Sequence, residues 1–185
     1  MIVLPEKSSQ MWRAARRVKY ILMDVDGVLT NGQIIYDTAD REIKAFNAHD
    51  GLGITLARAA GLQTGLISAR ESRSIRKRAA ELKIDHLYLG QFRKLEAYLA
   101  FRKKMKAQDE EICFIGDDLP DIPVLQRAGF AVAVRNASSP AKNAADFWTR
   151  YSGGEGAVRE VIEFILFAQG RLEDATKKLI GNQAP

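Results

Sequence analysis

The chain has one cysteine, Cys113, in 185 residues, so an internal disulfide and a cysteine-based zinc site are both excluded. That thiol falls in the apolar run Ile112 to Ile115, which suits a buried, reduced side chain and makes a cytoplasmic setting the expectation. Long apolar stretches are missing too. Nothing approaches the ~20 uninterrupted apolar residues that cross a bilayer, and the opening MIVLPEKSSQMWRAARR lacks an apolar signal core after its first four residues. Neither a membrane partner nor secretion is expected. Internal repeats, low-complexity tracts and a linker long enough to divide the chain are lacking as well. Neither charge sign dominates: 28 Lys and Arg against 23 Asp and Glu leave +5. The cations are spread over Arg13 to Lys19, Arg70 to Lys83 and Arg93 to Lys106 with no aromatic stacking pattern between them, which argues against nucleic acid. A few cations beside carboxylates suit a small phosphorylated substrate instead.

The composition, 46% hydrophobic and 28% charged, is that of an ordinary folded chain. A typical domain of about 150 residues leaves short appendages, so the expected organisation is an extension over 1–19, one domain over 20–169 and a polar tail over 170–185. Four apolar runs, Tyr20 to Met23, Gln63 to Ile67, Ile112 to Ile115 and Phe130 to Val134, read as buried parallel strands. Between them Leu52 to Ala60, Ser72 to Leu82, Lys94 to Met105 and Ile122 to Ala128 read as helices, with Gly61 and Gly129 where C-terminal caps belong. Strand and helix alternate, which predicts an α/β fold: a three-layer sandwich around a central parallel sheet. Gln33 to Tyr36 and Glu42 to Phe46 flank a turn-forming Asp-Thr-Ala-Asp and predict a small β-hairpin inserted after the first strand, over 33–46. Val158, Val161, Ile162, Ile165 and Leu166 predict a final amphipathic helix.

Chemistry concentrates in Met23-Asp24-Val25-Asp26-Gly27, just beyond the first strand, at the strand end where open parallel sheets bind ligands. In extended backbone Asp24 and Asp26 project to one side, and Gly27 lets the chain bend away. Two carboxylates on one site repel unless a cation lies between them, and Mg²⁺ is the natural companion. A second acidic cluster, Asp117-Asp118-Leu119-Pro120-Asp121, follows another predicted strand and should meet the first along the same sheet edge. Ser68 follows the strand Gln63 to Ile67, and Lys94 opens a helix; a hydroxyl and an ammonium there complete a phosphate site.

Each feature has a plainer reading alone. Asp-x-Asp-Gly is a common turn, Ser68 suits a helix N-cap, Lys94 suits a solvated surface, and Asp121 suits a cap for the helix that Pro123 opens. An EF-hand is excluded, since its third ligand position and closing glutamate are absent. A response-regulator receiver domain pairs acidic residues with Ser or Thr and Lys, but has no need of the extra carboxylate at i+2. The Gly51-Leu52-Gly53 pattern lacks the third glycine of a dinucleotide loop, and Gly153-Gly154-Glu155-Gly156 lacks the Lys-Ser/Thr of a P-loop and reads as a flexible turn. What favours catalysis is joint placement at strand ends on one side of one sheet.

DVDGVLT, Ser68, Lys94 and GDDLPD, in this order and spacing, resemble the signature of the haloacid dehalogenase superfamily of phosphohydrolases over about Tyr20 to Gln169. The resemblance implies Asp24 as nucleophile, Asp26 as general acid and then base, and Ser68 and Lys94 as phosphate holders. It also implies Mg²⁺ held by the Asp24 side chain, the Asp26 carbonyl and Asp117. FNAHDGLGI, LISAR, RKRAAEL, LGQFRK and GGEGAVREV are similar to a capless group, the 3-deoxy-D-manno-octulosonate 8-phosphate phosphatases of cell-envelope polysaccharide synthesis, with 2-keto-3-deoxynononate 9-phosphate phosphatases as close relatives. By that resemblance Asn47, Ala48, His49, Asp50, Gly51, Arg70 and Arg78 lie around the sugar acid, beside Asp26 and Lys94. A guanidinium at Arg70 suits bidentate pairing with a carboxylate. The chain departs from the group's pattern at His49, Thr55 and Ala69, positions that bear on substrate identity. With no cap domain to close the site, and with Ile34, Tyr36, Ile43 and Phe46 too apolar for a lone hairpin, the resemblance implies a homotetramer whose neighbouring subunits roof each site.

Overall fold

A computed structural model describes residues 10–181. Tyr20–Met23 forms the central strand β1, which pairs in parallel with β4 (Gln63–Ile67) on one side and β6 (Ile112–Gly116) on the other. All three are almost wholly buried, as strands covered by helices above and below must be. The hairpin strands β2 (Ile35–Tyr36) and β3 (Glu42–Ile43) form a separate antiparallel pair after β1. Short strands β5 (His86–Tyr88), β7 (Phe130–Ala133) and β8 (Phe147–Trp148) complete a six-stranded parallel sheet in the order β5-β4-β1-β6-β7-β8. The two outermost strands, β5 and β8, are too short to show a period in the sequence.

Two helical groups flank the sheet. Helices α1 (Gln10–Arg17), α2 (Ala48–Ala59), α7 (Ala157–Ala168) and α8 (Leu172–Ile180) pack on one another. So do α4 (Lys94–Met105), α5 (Ile122–Leu125) and α6 (Ser139–Asn143), while α3 (Arg73–Leu82) packs on α2. The result is the expected α/β three-layer sandwich, with the small hairpin and, among the described residues, no cap domain. No described helix is long and apolar enough to cross a membrane.

Several local expectations need correction. Helix α2 starts at Ala48, because the Asn47 side chain accepts a hydrogen bond from the His49 amide and caps it there. The hairpin strands are only two residues each. The segment 170–185 holds α8, which buries Ala175, and the extension 1–19 holds α1, whose Trp12 lies 5.4 Å from the Phe164 ring; residues 1–9 and 182–185 fall outside the described range. Gly129 is required by close approach rather than as a left-handed cap, since a Cβ there would stand 2.3 Å from Glu110 Cα. Cys113 is buried in β6, as expected of a reduced core thiol.

Register decides where the chemistry meets. Met23 is level with Leu66 of β4 and Ile115 of β6, so Asp24 emerges beside Ile67 and Gly116, with Ser68 and Asp117 one step further on. The connections from β1 and its two neighbours diverge at this edge, the crevice where open α/β sheets hold ligands.

Candidate active site

Asp24 is the first residue past β1; its amide still donates to Ile115 O at 3.0 Å, and its carboxylate is buried. Lys94, at the start of α4 and also buried, places Nζ 2.9 Å from Asp24 Oδ1 and 2.6 Å from Asp121 Oδ1. Asp121 stands at the N-cap of the following helix, but its side chain makes no capping hydrogen bond there. Its Oδ2 turns back to accept from the Asp117 amide at 2.9 Å and the Asp118 amide at 3.2 Å, which closes the acidic loop on itself. Gly27, at φ +95°, allows the turn after Asp26, and a Cβ there would stand 2.1 Å from Asp117 Oδ2.

Carboxylate oxygens of Asp24, Asp117 and Asp121 lie within 4.8 Å of one another. Burial, opposed by Lys94 and reinforced by the repulsion of Asp121, pushes the Asp24 carboxyl up to about 7. Asp117 is pushed up to about 8 by burial and by Asp24 and Asp121. Burial works against the Lys94 ammonium, yet the two aspartates facing it hold its pKa above the ordinary lysine value. One ammonium cannot balance three carboxylates, and Asp117 Oδ1 is buried with no hydrogen-bond partner. A hard, oxygen-seeking divalent cation fits that donor set.

Asp26 has a different cation as its partner. Its Oδ1 pairs with Lys44 Nζ, carried in from the hairpin just past β3, while its Oδ2 is buried without a partner. Glu42 Oε1 stands 3.0 Å from the same ammonium and 3.3 Å from Arg70 Nε, and Arg70 also donates to the Tyr36 hydroxyl at 3.3 Å. Ser68 is buried at the end of β4, its hydroxyl accepting from the Arg70 amide at 3.2 Å; the N-cap of α3 is Ser72 instead.

The remaining candidates sit at the start of α2. Asn47 Nδ2 donates to Gly154 O at 3.0 Å, and Ala48 and His49 are exposed. Asp50 is buried, its oxygens taken by the Gly156 amide at 3.2 Å and the Arg159 amide at 3.0 Å. Arg78 packs over Gly51, reaches Asn47 O at 3.4 Å and stands over the Phe46 ring at 5.9 Å. Arg78 thus contacts Asn47, Glu81 and Phe46, whereas Arg70 contacts Glu42 and Tyr36. The Gly153 to Gly156 segment, read as a flexible turn, is wedged instead against the loop after β1: a Cβ on Gly153 would stand 1.7 Å from Gly27 O, and the Gly154 amide donates to Val28 O at 2.9 Å.

Asp24, Lys94 and Asp117 therefore form one cluster, and Asp26 and Arg70 share a second through the hairpin. Sequence reasoning missed Asp121 as the Lys94 partner, although its place four residues after Asp117 was a signal. It also missed Glu42 and Lys44, which the alternation of a strand puts on one face, opposite Ile43.

An acidic cluster and a lysine at the carboxyl ends of neighbouring parallel strands, with a small hairpin after the first, define a hydrolase of the haloacid dehalogenase type. A family model for haloacid dehalogenase-like hydrolases matches residues 87–162. The chain is 39% identical over 168 residues, 91% of its length and 89% of the relative's, to a 3-deoxy-D-manno-octulosonate 8-phosphate phosphatase of Escherichia coli. Among solved structures it is similar to a putative subfamily III A hydrolase from Legionella pneumophila, with a TM-score of 0.91 at 38% identity over 92% of this chain and 94% of that one. It is also similar, with a TM-score of 0.90 at 38% identity over 93% and 99%, to the Moraxella catarrhalis 3-deoxy-D-manno-octulosonate 8-phosphate phosphatase solved with magnesium, phosphate and KDO. The chain belongs to the haloacid dehalogenase-like hydrolases and, within them, to the family of these phosphatases; it is a phosphoric monoester hydrolase.

Proposed function

We propose that the chain is a cytoplasmic, Mg²⁺-dependent phosphatase that hydrolyses 3-deoxy-D-manno-octulosonate 8-phosphate through a phosphorylated Asp24. The observation that carries this reading is the buried Asp24–Lys94–Asp121 chain beside the unpartnered Asp117 oxygen. The Asp24 and Asp117 carboxylates and the Asp26 carbonyl would hold the cation, which masks phosphoryl charge when bound. Lys94 and the Ser68 hydroxyl hold phosphoryl oxygens and orient phosphorus toward Asp24. An Asp24 oxygen forms the new bond to phosphorus, the bond to the sugar oxygen breaks, and Asp26 gives that oxygen its proton. Asp26 then takes a proton from water, which attacks the acyl phosphate and regenerates Asp24.

Arg70, beside the Asp26 network, suits the substrate carboxylate, and Asn47 to Gly51 with Arg78 suit its hydroxyls. His49, Thr55 and Ala69 leave a second reading, 2-keto-3-deoxynononate 9-phosphate or another small phosphomonoester. The apolar hairpin supports a homotetramer in which neighbouring subunits cover the site. Specificity constants across phosphorylated sugars and sugar acids, with and without chelator, test the proposal. The octulosonate ester should lead and chelation should abolish turnover; a preference for neutral sugar phosphates would exclude the sugar-acid assignment.

A further inference from the structure

Lys44 is unusual among the lysines of this chain: a hairpin residue whose side chain is only 1% exposed, although the strands around it present Ile35, Tyr36 and Ile43 to solvent. An ammonium is buried at a cost unless it is paired, and Lys44 is paired on two sides. Asp26 Oδ1 receives it directly and Glu42 Oε1 stands 3.0 Å away, with Arg70 beyond Glu42. The contact divides the two oxygens of Asp26. Oδ1 is held by the lysine; Oδ2 is buried and has no hydrogen-bond partner.

A carboxyl group that must deliver a proton to one particular oxygen gains from having its rotamer fixed and one oxygen left free. We infer that Lys44 is a positioning residue for the reaction, clamping Asp26 through Oδ1 so that Oδ2 is the oxygen that exchanges the proton with the leaving group and with water. This rests on the phosphatase reading and deepens it. The clamp comes from the hairpin rather than from the sheet, so the acid group of the site is held by an inserted element while the nucleophile is held by β1 and α4. Glu42 is the buttress: it faces Lys44 and Arg70 together and keeps the ammonium aimed at Asp26.

The test compares an alkyl substrate, octulosonate 8-phosphate, with p-nitrophenyl phosphate, whose leaving group departs without needing a proton. For Lys44→Met, kcat/KM on the alkyl ester should fall by about 100-fold or more, within the range general acid catalysis supplies, while the aryl ester loses less than about tenfold. Lys44→Arg keeps the charge but shifts the cation, so its alkyl-to-aryl ratio should lie between wild type and Lys44→Met. In an Asp26→Asn background, adding Lys44→Met should change neither rate by more than about threefold, because a residue acting through Asp26 has nothing left to hold. Equal losses on both esters, or losses that multiply with those of Asp26→Asn, would overturn the inference. So would an Lys44→Arg ratio at or below that of Lys44→Met. Full turnover by Asp24→Asn would sink the underlying reading and this inference with it. An inactive Asp24→Asn beside an Lys44→Met indistinguishable from wild type would sink the inference alone.

Discussion

Asp24 stands among charges that a single lysine does not balance, and two predictions follow at the scale of the residue. Asp24→Asn is nearly isosteric at a strand end and should keep the fold, yet lose turnover by about four orders of magnitude or more, because an amide does not attack phosphorus; steady-state assay beside a thermal melt checks both halves. The second concerns pH. Burial lifts Asp24 to about 7 against the pull of Lys94, and burial with carboxylate repulsion lifts Asp117 to about 8, both from 3.8. A carboxyl whose folded pKa lies above its unfolded one binds more protons folded between the two values, so without metal the stability these groups contribute is complete only below about 3.8 and is lost progressively as pH rises to about 7 and about 8. The metal-free protein should therefore melt lower at about pH 8.5 than at pH 6, and Mg²⁺ should raise the melting temperature more at the higher pH. A magnesium shift independent of pH would contradict the assignment of both residues to the cation. The places of Asp24, Asp26, Ser68, Lys94 and Asp117, past strand ends or at a helix start, were legible in the sequence. The links between them were not, since the Lys94–Asp121 and Lys44–Asp26 pairs join residues 27 and 18 positions apart, and only the folded register brings them together.

The strands nearest the site match the sequence reading to within a residue, because buried parallel strands leave apolar runs, unbroken in β1 and β6 and short in β4. What escaped was what tertiary contact decides: the edge strands β5 and β8, the helix α8 in a segment of polar composition, and the glycine segment 153–156. That last segment makes a prediction at the scale of the element. Its packing on Gly27 and Val28 braces the loop that carries Asp24 and Asp26, so Gly153→Ala must push the two segments apart. Overpacking of this kind costs about 1–3 kcal/mol, and here it should lower kcat as well as stability, readable from urea melts and rates on the same preparation. A variant that loses stability but keeps kcat would show the brace to be irrelevant to catalysis.

At the scale of the molecule the hairpin presents Ile34, Ile35, Tyr36 and Ile43, each more than 40% exposed, on a ribbon of two-residue strands that cannot bury them itself. Sedimentation should show a particle about four times the 20.6 kDa chain mass, and Ile34→Glu with Ile43→Glu should dissociate it and weaken sugar-acid binding. A fully active monomer would refute the assembly and leave an open site. The placement of β1 has a further consequence, one of time. The strand that carries Asp24 is among the first segments of the sheet to leave the ribosome, but its neighbour β6 is made some ninety residues later and the glycines that brace its loop later still. At a synthesis rate of about 5–20 residues per second, the nascent chain spends several seconds with Asp24 made and the residues of its cluster still unmade. Asp26 has its lysine partner within eighteen residues, whereas Asp24 waits for Lys94, Asp121 and the β6 loop that complete its cluster.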